Sequence, residues 1–306
     1  MPVRPQRRWR REERAGSWTQ LLDLLFADAW NEAIGRFRSP FAFRGQLSAA
    51  ADLSSGLLRL AEGRDAAALE QHLLRNFRKY AHGEVGERSI WHWLALAQHR
   101  GLPTRLVDWT YSPFVALHFA TASLQHMNVD GAVWMCNFVE ANALLPRRLR
   151  TLLAREGSDT ATVDMLTSVQ SLAEFDHLAQ RPFVLFLEPP SLDPRITNQF
   201  ALFSLMPDAA ACLDRWLAAS PELARRVIIP AKLKWEVRDK LDQLNINERV
   251  LFPGLDGLSR WLTRYYWSRP DRHASNETLE LTRGRRKRAG PARRNGSLRE
   301  RSRSRR

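Results

Sequence analysis

The sequence predicts an α+β protein, a single mixed domain with a small central sheet flanked by helices. Segments with apolar residues three to four positions apart, typical of helices, are interspersed with short apolar segments of strand type. The two kinds do not alternate regularly, as they would in a chain of βαβ units. Of the 306 residues, 44% are hydrophobic, with eleven Trp and fourteen Phe, which is enough for a substantial core.

The periodicity places each element along the chain. Helical spacing predicts helices over residues 18–34, 64–81, 87–99, 112–125, 232–244 and 258–265. Apolar or alternating segments predict strands over residues 41–46, 132–139, 182–187, 200–205 and 226–230. Residues 140–178 have only a weak helical pattern, interrupted near Gly157, and we expect them to be a helical insertion.

The net charge of +14 is concentrated at the two ends. Residues 283–306 contain twelve Lys or Arg and one Glu, and residues 1–14 contain six Arg and two Glu, so the rest is nearly neutral. Dense like charge with few apolar residues predicts a basic disordered arm over residues 1–16 and an Arg-rich disordered tail over residues 269–306. The tail either contacts nucleic acid or acidic partners without sequence preference, or it is simply a solvated extension. The folded domain is predicted over residues 17–268.

Several classes of protein are not indicated. The sequence has no phosphate-binding Gly-rich loop, dinucleotide fingerprint, nucleophile elbow or zinc motif, and its eight histidines are scattered, so no metal site is expected. Cys136 and Cys212 lie in apolar segments and indicate buried thiols in a reducing compartment. The first thirty residues contain no signal-peptide hydrophobic segment and no apolar run could span a bilayer, so we expect a cytoplasmic protein without a membrane partner.

A polar turn between two apolar helical patterns is the most informative segment. Gly101 and Pro103 end the first helix, and Ser112 followed by Pro113 begins the second. Four polar side chains are crowded between them: Thr104, Arg105, Asp108 and Thr110. Such a turn indicates either a network of side-chain hydrogen bonds or a binding site.

Arg44 stands at the end of a predicted strand and precedes Gly45, which would let a ligand approach the backbone closely. An arginine in this place suits a bidentate clamp on phosphate or carboxylate. The alternative is an arginine paired with a buried carboxylate, for which Asp108 is the candidate.

These residues resemble the FRG domain, a family named after its Phe-Arg-Gly triplet. The resemblance rests on three blocks, within residues 17–265: Phe43-Arg44-Gly45-Gln46; Gln98-His99-x-Gly101-Leu102-Pro103-Thr104-Arg105-Leu106-x-Asp108-Trp109-Thr110-x-Ser112-Pro113; and Pro194-Arg195-Ile196-x-x-x-Gln199-x-x-x-Phe203. The association of this family with mobile elements implies a role in bacterial defence or toxin biology.

The order of these blocks is also similar to that of ADP-ribosyltransferase-like folds. That similarity implies that Arg44 binds the phosphate or ribose of NAD, that Asp108 lies at the nicotinamide side and that Gln199 takes the late position at the reacting ribose. These three form the predicted catalytic set. The predicted ligand-binding residues are Gly45, Gln46, His99, Thr104, Arg105, Thr110, Ser112 and Arg195. NAD would be a substrate, consumed by an ADP-ribosyltransferase or an NAD glycohydrolase, and no resident cofactor is predicted.

Three alternatives remain open at this point. Cleavage of the nicotinamide bond builds oxocarbenium character, which a carboxylate stabilises better than the amide of Gln199, so Asp108 or Glu188 would supply the charge. The site could also bind a nucleotide without turning it over. The rival hypothesis is a non-catalytic interaction module in which Arg44, Asp108 and Gln199 form a buried structural network. Each alternative depends on where three segments distant in sequence meet.

Overall fold

The computed structural model describes residues 12–85 and 88–268, and the predicted tail lies outside them. The helices are α1 Trp18–Phe26, α2 Gly56–Ala61, α3 Ala66–Val85, α4 Ile90–His99, α5 Pro113–Thr121, α6 Phe138–Ala141, α7 Arg147–Glu156, α8 Leu172–Asp176, α9 Pro194–Asn198, α10 Leu213–Ala219, α11 Ala231–Gln243, α12 Glu248–Leu251 and α13 Leu255–Tyr265. Short 3₁₀ turns cover Leu124–His126, Asn142–Leu144 and Met165–Ser168.

The strands are β1 Glu12–Arg14, β2 Trp30–Asn31, β3 Arg36–Phe37, β4 Phe41–Gln46, β5 Val107–Thr110, β6 Gly131–Asn137, β7 Ala161–Thr162, β8 Leu185–Glu188, β9 Ala201–Leu205 and β10 Ala224–Ile229. Eight of them form one mixed sheet in the order β1-β10-β6-β4-β5-β9-β8-β7, and β2 and β3 form a separate hairpin. The pairs are antiparallel except β1 with β10 and β7 with β8. The predicted α+β class is confirmed.

Helices cover the sheet in separate groups. Helices α1, α5 and α11 pack over β10, β6 and β4 around residues such as Phe43, Leu117 and Val237. Helices α4 and α7 pack over β8 and β9 around Trp91, Leu149 and Leu185. Strand β5 lies between these two parts of the sheet.

Four differences from the sequence prediction have clear local reasons. Helix α1 ends at Phe26 rather than near residue 34, because Asp28 adopts a left-handed conformation and the β2–β3 hairpin follows. Residues 12–14, expected in a disordered arm, form β1 beside β10. Strand β5 occupies part of the predicted polar turn. Residues 140–178 contain α7 and α8, but they also contribute β7 to the sheet.

The described residues up to Leu262 form one compact unit, and the chain from Thr263 onward groups separately. All residues of the candidate site belong to the first unit. In the part of the chain that the structure describes, no helix combines the length and apolarity needed to cross a membrane. Cys136 and Cys212 are both buried free thiols, and burial raises the pKa of Cys136 to about 12.

Candidate functional site

A cleft of about 670 Å³ brings the three predicted catalytic residues together. Arg44 comes from β4, Asp108 from β5 and Gln199 from the end of α9, and all three line its wall. The cleft also receives Gly45, His99, Thr110 and Arg195 from the predicted ligand-binding set. Segments 64 and 91 residues apart in sequence therefore meet at one concave surface.

The cleft opens where two neighbouring strands separate. Strand β4 pairs with β6 over six residues, but it pairs with β5 only through Phe43 and Thr110. Beyond that pair, the Arg44 guanidinium bridges the gap, and its Nη1 donates to the backbone carbonyl of Asp108 at 2.6 Å. The missing ladder hydrogen bonds leave room for a ligand between the strands.

The guanidinium of Arg44 is only partly satisfied. Its side chain is 20% exposed, its Nη1 lies 3.8 Å from Oδ2 of Asp108, and its buried Nε has no hydrogen-bond partner in the structure. Burial lowers the pKa of Arg44, and the like charge of Arg59 lowers it further, while Asp108 acts in the opposite direction. A bound anion would offset both the desolvation cost and the repulsion.

Asp108 presents a carboxylate to solvent at the cleft, since its side chain is 59% exposed. Its Oδ1 accepts a hydrogen bond of 2.8 Å from Nε2 of Gln98. The Oε1 of Gln98 in turn accepts from the hydroxyl of fully buried Thr104 at 2.7 Å. The carboxylate is therefore oriented by a short chain of hydrogen bonds but keeps most of its surface accessible.

Gln199 directly follows α9 and is held from both sides. Its Nε2 donates to the carbonyl of Leu251 at 2.8 Å, and its own carbonyl accepts from the Thr110 hydroxyl at 2.7 Å. These contacts fix the orientation of the amide, and no other described residue hydrogen-bonds its Oε1. The amide oxygen is thus available as an acceptor.

An ion pair links α4 to the start of α9 at the same cleft. Nε2 of His99 lies 2.5 Å from Oδ2 of Asp193, which also caps α9 by accepting from the N–H groups of Arg195 and Ile196. Burial by itself raises the pKa of Asp193, but the hydrogen bond and charge of His99 and these two N–H groups lower it below its usual value. The pair sets the position of α9, which carries Arg195 and Gln199.

Arg105 requires a correction, because it lies outside the cleft. It is 5% exposed, and its Nε donates to Glu70 at 2.7 Å while its Nη atoms bond the carboxylate of Asp176. Burial lowers the pKa of Arg105, but the two carboxylates raise it above its usual value. The guanidinium is occupied by structural partners and does not face the ligand space.

Three further residues of the predicted binding set, Gln46, Thr104 and Ser112, do not line the cleft. Gln46 bridges the indole of Trp134 and the carbonyl of Asp52 inside the core. Thr104 holds Gln98, and Ser112 caps α5 by accepting from the N–H of Val115. Their polar groups are used by the fold.

Gly45 lines the cleft for a different reason from the one predicted. A Cβ at this position would lie 1.9 Å from the carbonyl oxygen of Ala116 and 2.7 Å from the nitrogen of Ala120, both in α5. The missing side chain therefore allows helix α5, and not a ligand, to come close to β4.

Glu188, the other carboxylate considered for stabilising positive charge on the ribose, does not line the cleft. It accepts hydrogen bonds from the hydroxyls of Tyr111 at 2.6 Å and Thr160 at 3.0 Å. Burial, together with the hydrogen bond to Glu188, raises the pKa of Tyr111. Asp108 is the carboxylate that shares the cleft with Arg44.

The structure adds residues that the sequence did not single out. Arg59 and the stretch from Ser54 to Gly56 line the cleft from α2 and the segment before it, and Gln98 orients Asp108. Gln98 stands beside His99 in the second motif block, so its place in that block was an available signal. No such signal in the sequence pointed to Arg59, because helix α2 was not predicted. Among the described residues, no group of three or more His, Cys, Asp or Glu could hold a metal ion.

Residues 39–128 match the family model of the FRG domain. The match includes the first two motif blocks, with Arg44 and Asp108, and ends before the block with Gln199. The predicted resemblance to the FRG domain is therefore confirmed. Neither the curated proteins nor the solved structures contain a match to this chain.

Proposed function

We propose that this FRG domain protein binds a nucleotide of the NAD type in the cleft and consumes it, as an effector of ADP-ribosyltransferase-like type. One observation carries the proposal: a partly satisfied guanidinium, an exposed carboxylate and a fixed amide line the same cleft. The role in bacterial defence or toxin systems that the resemblance implies belongs to the same proposal.

The cleft suits a ligand of this size and charge. Its volume of about 670 Å³ lies within the roughly 300–1,000 Å³ of small-molecule sites. Arg44 and Arg59 face the same space with like charge, and a diphosphate placed between them would neutralise both. The free Nε of Arg44 supplies a donor for a bidentate contact with phosphate.

The accessible carboxylate gives the site its chemistry. In NAD consumption the bond between ribose C1′ and the nicotinamide nitrogen breaks, and the electron pair leaves with nicotinamide. Positive charge develops on the ribose, and the carboxylate of Asp108 would stabilise it. Water or an acceptor nucleophile then bonds to C1′ and loses a proton, and with water the product is ADP-ribose. The Oε1 of Gln199 would accept from a ribose hydroxyl and hold the ring in place.

The test incubates the full-length protein with NAD and measures the release of nicotinamide by chromatography. Asp108→Asn should lower the rate at least a hundredfold, since an oriented charge at a developing cation is worth several kcal/mol. Asp23→Asn is the matched control, because Asp23 is an exposed aspartate on α1 outside the cleft, and it should leave the rate unchanged.

The two remaining alternatives give different results. If the cleft binds without turnover, NAD or ADP-ribose should stabilise the protein against heat, but no nicotinamide should be released. That result would exclude catalysis. The non-catalytic module shows neither effect. The 59% exposure of the Asp108 side chain favours a ligand site over a sealed structural network.

A further inference from the structure

A second groove, of about 850 Å³, is formed by residues outside the candidate cleft. Helix α3 and the start of α4 form one side, and residues 170–173 form the other. None of its lining residues lines the cleft of Arg44. The groove is therefore an independent feature with its own chemistry.

Cationic side chains dominate one side of this groove. Arg75 and Lys79 are four residues apart, as are Arg78 and His82, so the four share a face of α3. Arg88 adds a further charge. From Arg75 to His82 the helix rises by roughly 10 Å. The basic face thus runs along the groove rather than forming a single point of charge.

Among the described residues, these cations find no ionic partner. None of the three arginines or Lys79 forms an ion pair with a described residue, although the domain between the two basic ends is nearly neutral overall. The carboxylate next to the lining segment, that of Glu174, is bonded to Arg148 and to the N–H of Gln170. Like charges gathered without partners raise the local potential and attract a polyanion.

Both sides of the groove also offer neutral polar and apolar groups. Gln71 and Gln170 provide amides, Ser171 provides a hydroxyl, and Leu74 and Ile90 provide apolar surface. Trp93 also lines the groove, and its indole Nε1 donates to no other described residue. Amide, hydroxyl and arginine donors together are the set that proteins use on phosphate and sugar oxygens.

We propose that this groove binds the sugar-phosphate backbone of single-stranded nucleic acid. A continuous row of cations suits a ligand with evenly spaced negative charges, and the amides of Gln71 and Gln170 suit the sugar oxygens between them. The predicted tail of residues 269–306 carries charge of the same sign, so the test must separate its contribution from that of the groove.

The test compares two matched double variants of the full chain. Arg75→Gln with Arg78→Gln removes two charges from the groove, and Arg147→Gln with Arg150→Gln removes two exposed charges at the same spacing from α7. Binding of fluorescein-labelled single-stranded RNA and DNA 20-mers is measured by anisotropy over a range of salt. The tail is present in all proteins, so its contribution cancels.

The groove variant should weaken binding at least tenfold and reduce the slope of log affinity against log salt by about 1.4, for two lost phosphate contacts. The α7 variant should change affinity less than threefold. Equal effects in the two variants, or no effect in the groove variant, would overturn the proposal. Competition by polyglutamate as effective as that by RNA at equal charge would also overturn it, in favour of an acidic protein partner.

Discussion

Two arginines of the FRG domain match, Arg105 and Arg44, show how differently one fold treats the same side chain. Arg105 is 3% exposed in its side chain and is bonded to two carboxylates, Glu70 and Asp176. Arg44 is 20% exposed and has only a backbone carbonyl at hydrogen-bond distance, with the exposed carboxylate of Asp108 at 3.8 Å. The first guanidinium is saturated by the protein, and the second is not.

The difference separates stability from function. A buried charge with complete partners ties together α3, α8 and the turn before β5, and a ligand would find no free donor there. A buried charge with incomplete partners costs free energy in the unliganded protein, and a ligand recovers it. Substitutions at Glu70 and at Arg44 separate the two roles, and substitutions at Gly45 and Asp193 probe the elements that hold the available guanidinium's cleft.

The largest effect is expected at the saturated arginine. Glu70→Gln removes a 1% exposed partner of Arg105 and should lower the free energy of unfolding by about 3 kcal/mol, because it leaves a buried charge only partly compensated. Urea denaturation measures the change. Glu174→Gln is the matched control, since Glu174 pairs with Arg148 at the surface, and it should leave the free energy of unfolding nearly unchanged. Equal costs would contradict the structural role of Arg105.

The next effect concerns the strand that carries Arg44. Gly45→Ala should lower the free energy of unfolding by about 3 kcal/mol or prevent folding, because its Cβ would meet the backbone of α5 at 1.9 Å. Gly56→Ala, at a second glycine of the same cleft, meets nothing closer than 3.4 Å and should be tolerated. Thermal unfolding compares the two. A stable Gly45→Ala protein would show that α5 does not fix this strand.

Arg44 itself should matter little for stability and greatly for ligand binding. Arg44→Gln should change the free energy of unfolding by less than about 1 kcal/mol, since one hydrogen bond is lost and a desolvation cost disappears. The same variant should abolish the stabilisation by NAD, which for the native protein at a hundred times Kd is about 2.7 kcal/mol. Thermal shift assays measure both. A large loss of stability without any ligand effect would place Arg44 with Arg105 as a structural residue.

The smallest effect is expected at the pair His99–Asp193, where Asp193 is partly exposed. Asp193→Asn keeps an oxygen that can cap α9 but removes the charge, and it should cost up to about 1 kcal/mol at pH 7. Because the folded pKa of Asp193 is lowered, its stabilisation is present above the usual pKa and is lost as the pH falls through the folded value. The difference between the two proteins should therefore shrink from pH 7 towards pH 3 in urea titrations. A constant difference would show that the charge is not responsible.

The sequence predicted the elements that depend on local pattern. Strands β4, β6 and β9 lie where apolar residues indicated them, and α5 begins after the Ser112 cap as expected. Strands β1 and β7 were missed, because two or three residues contain no period and are defined only by their neighbours in the sheet. Helix α1 was predicted too long, because the left-handed Asp28 gives no signal in an apolar spacing.

For the site, the motif blocks named residues from distant segments, and the structure shows which of them lie at one cleft. Arg44, Asp108 and Gln199 were predicted to form one catalytic set, and they line the same cleft. Their catalytic roles stay predictions. Arg105 stands in the same block as Asp108 and has the same type of side chain as Arg44, yet it is buried against Glu70, a residue 35 positions away. No local pattern distinguishes a saturated guanidinium from an available one.

The sequence by itself determined the class of fold, the FRG motif and the concentration of charge at the ends, because periodicity, residue type and charge are properties of the chain. Only the tertiary structure decided which polar groups are satisfied by the protein and which remain available for a ligand. Satisfaction depends on partners brought close by packing, such as Leu251 for Gln199 and α5 for Gly45, and sequence separation does not encode those distances.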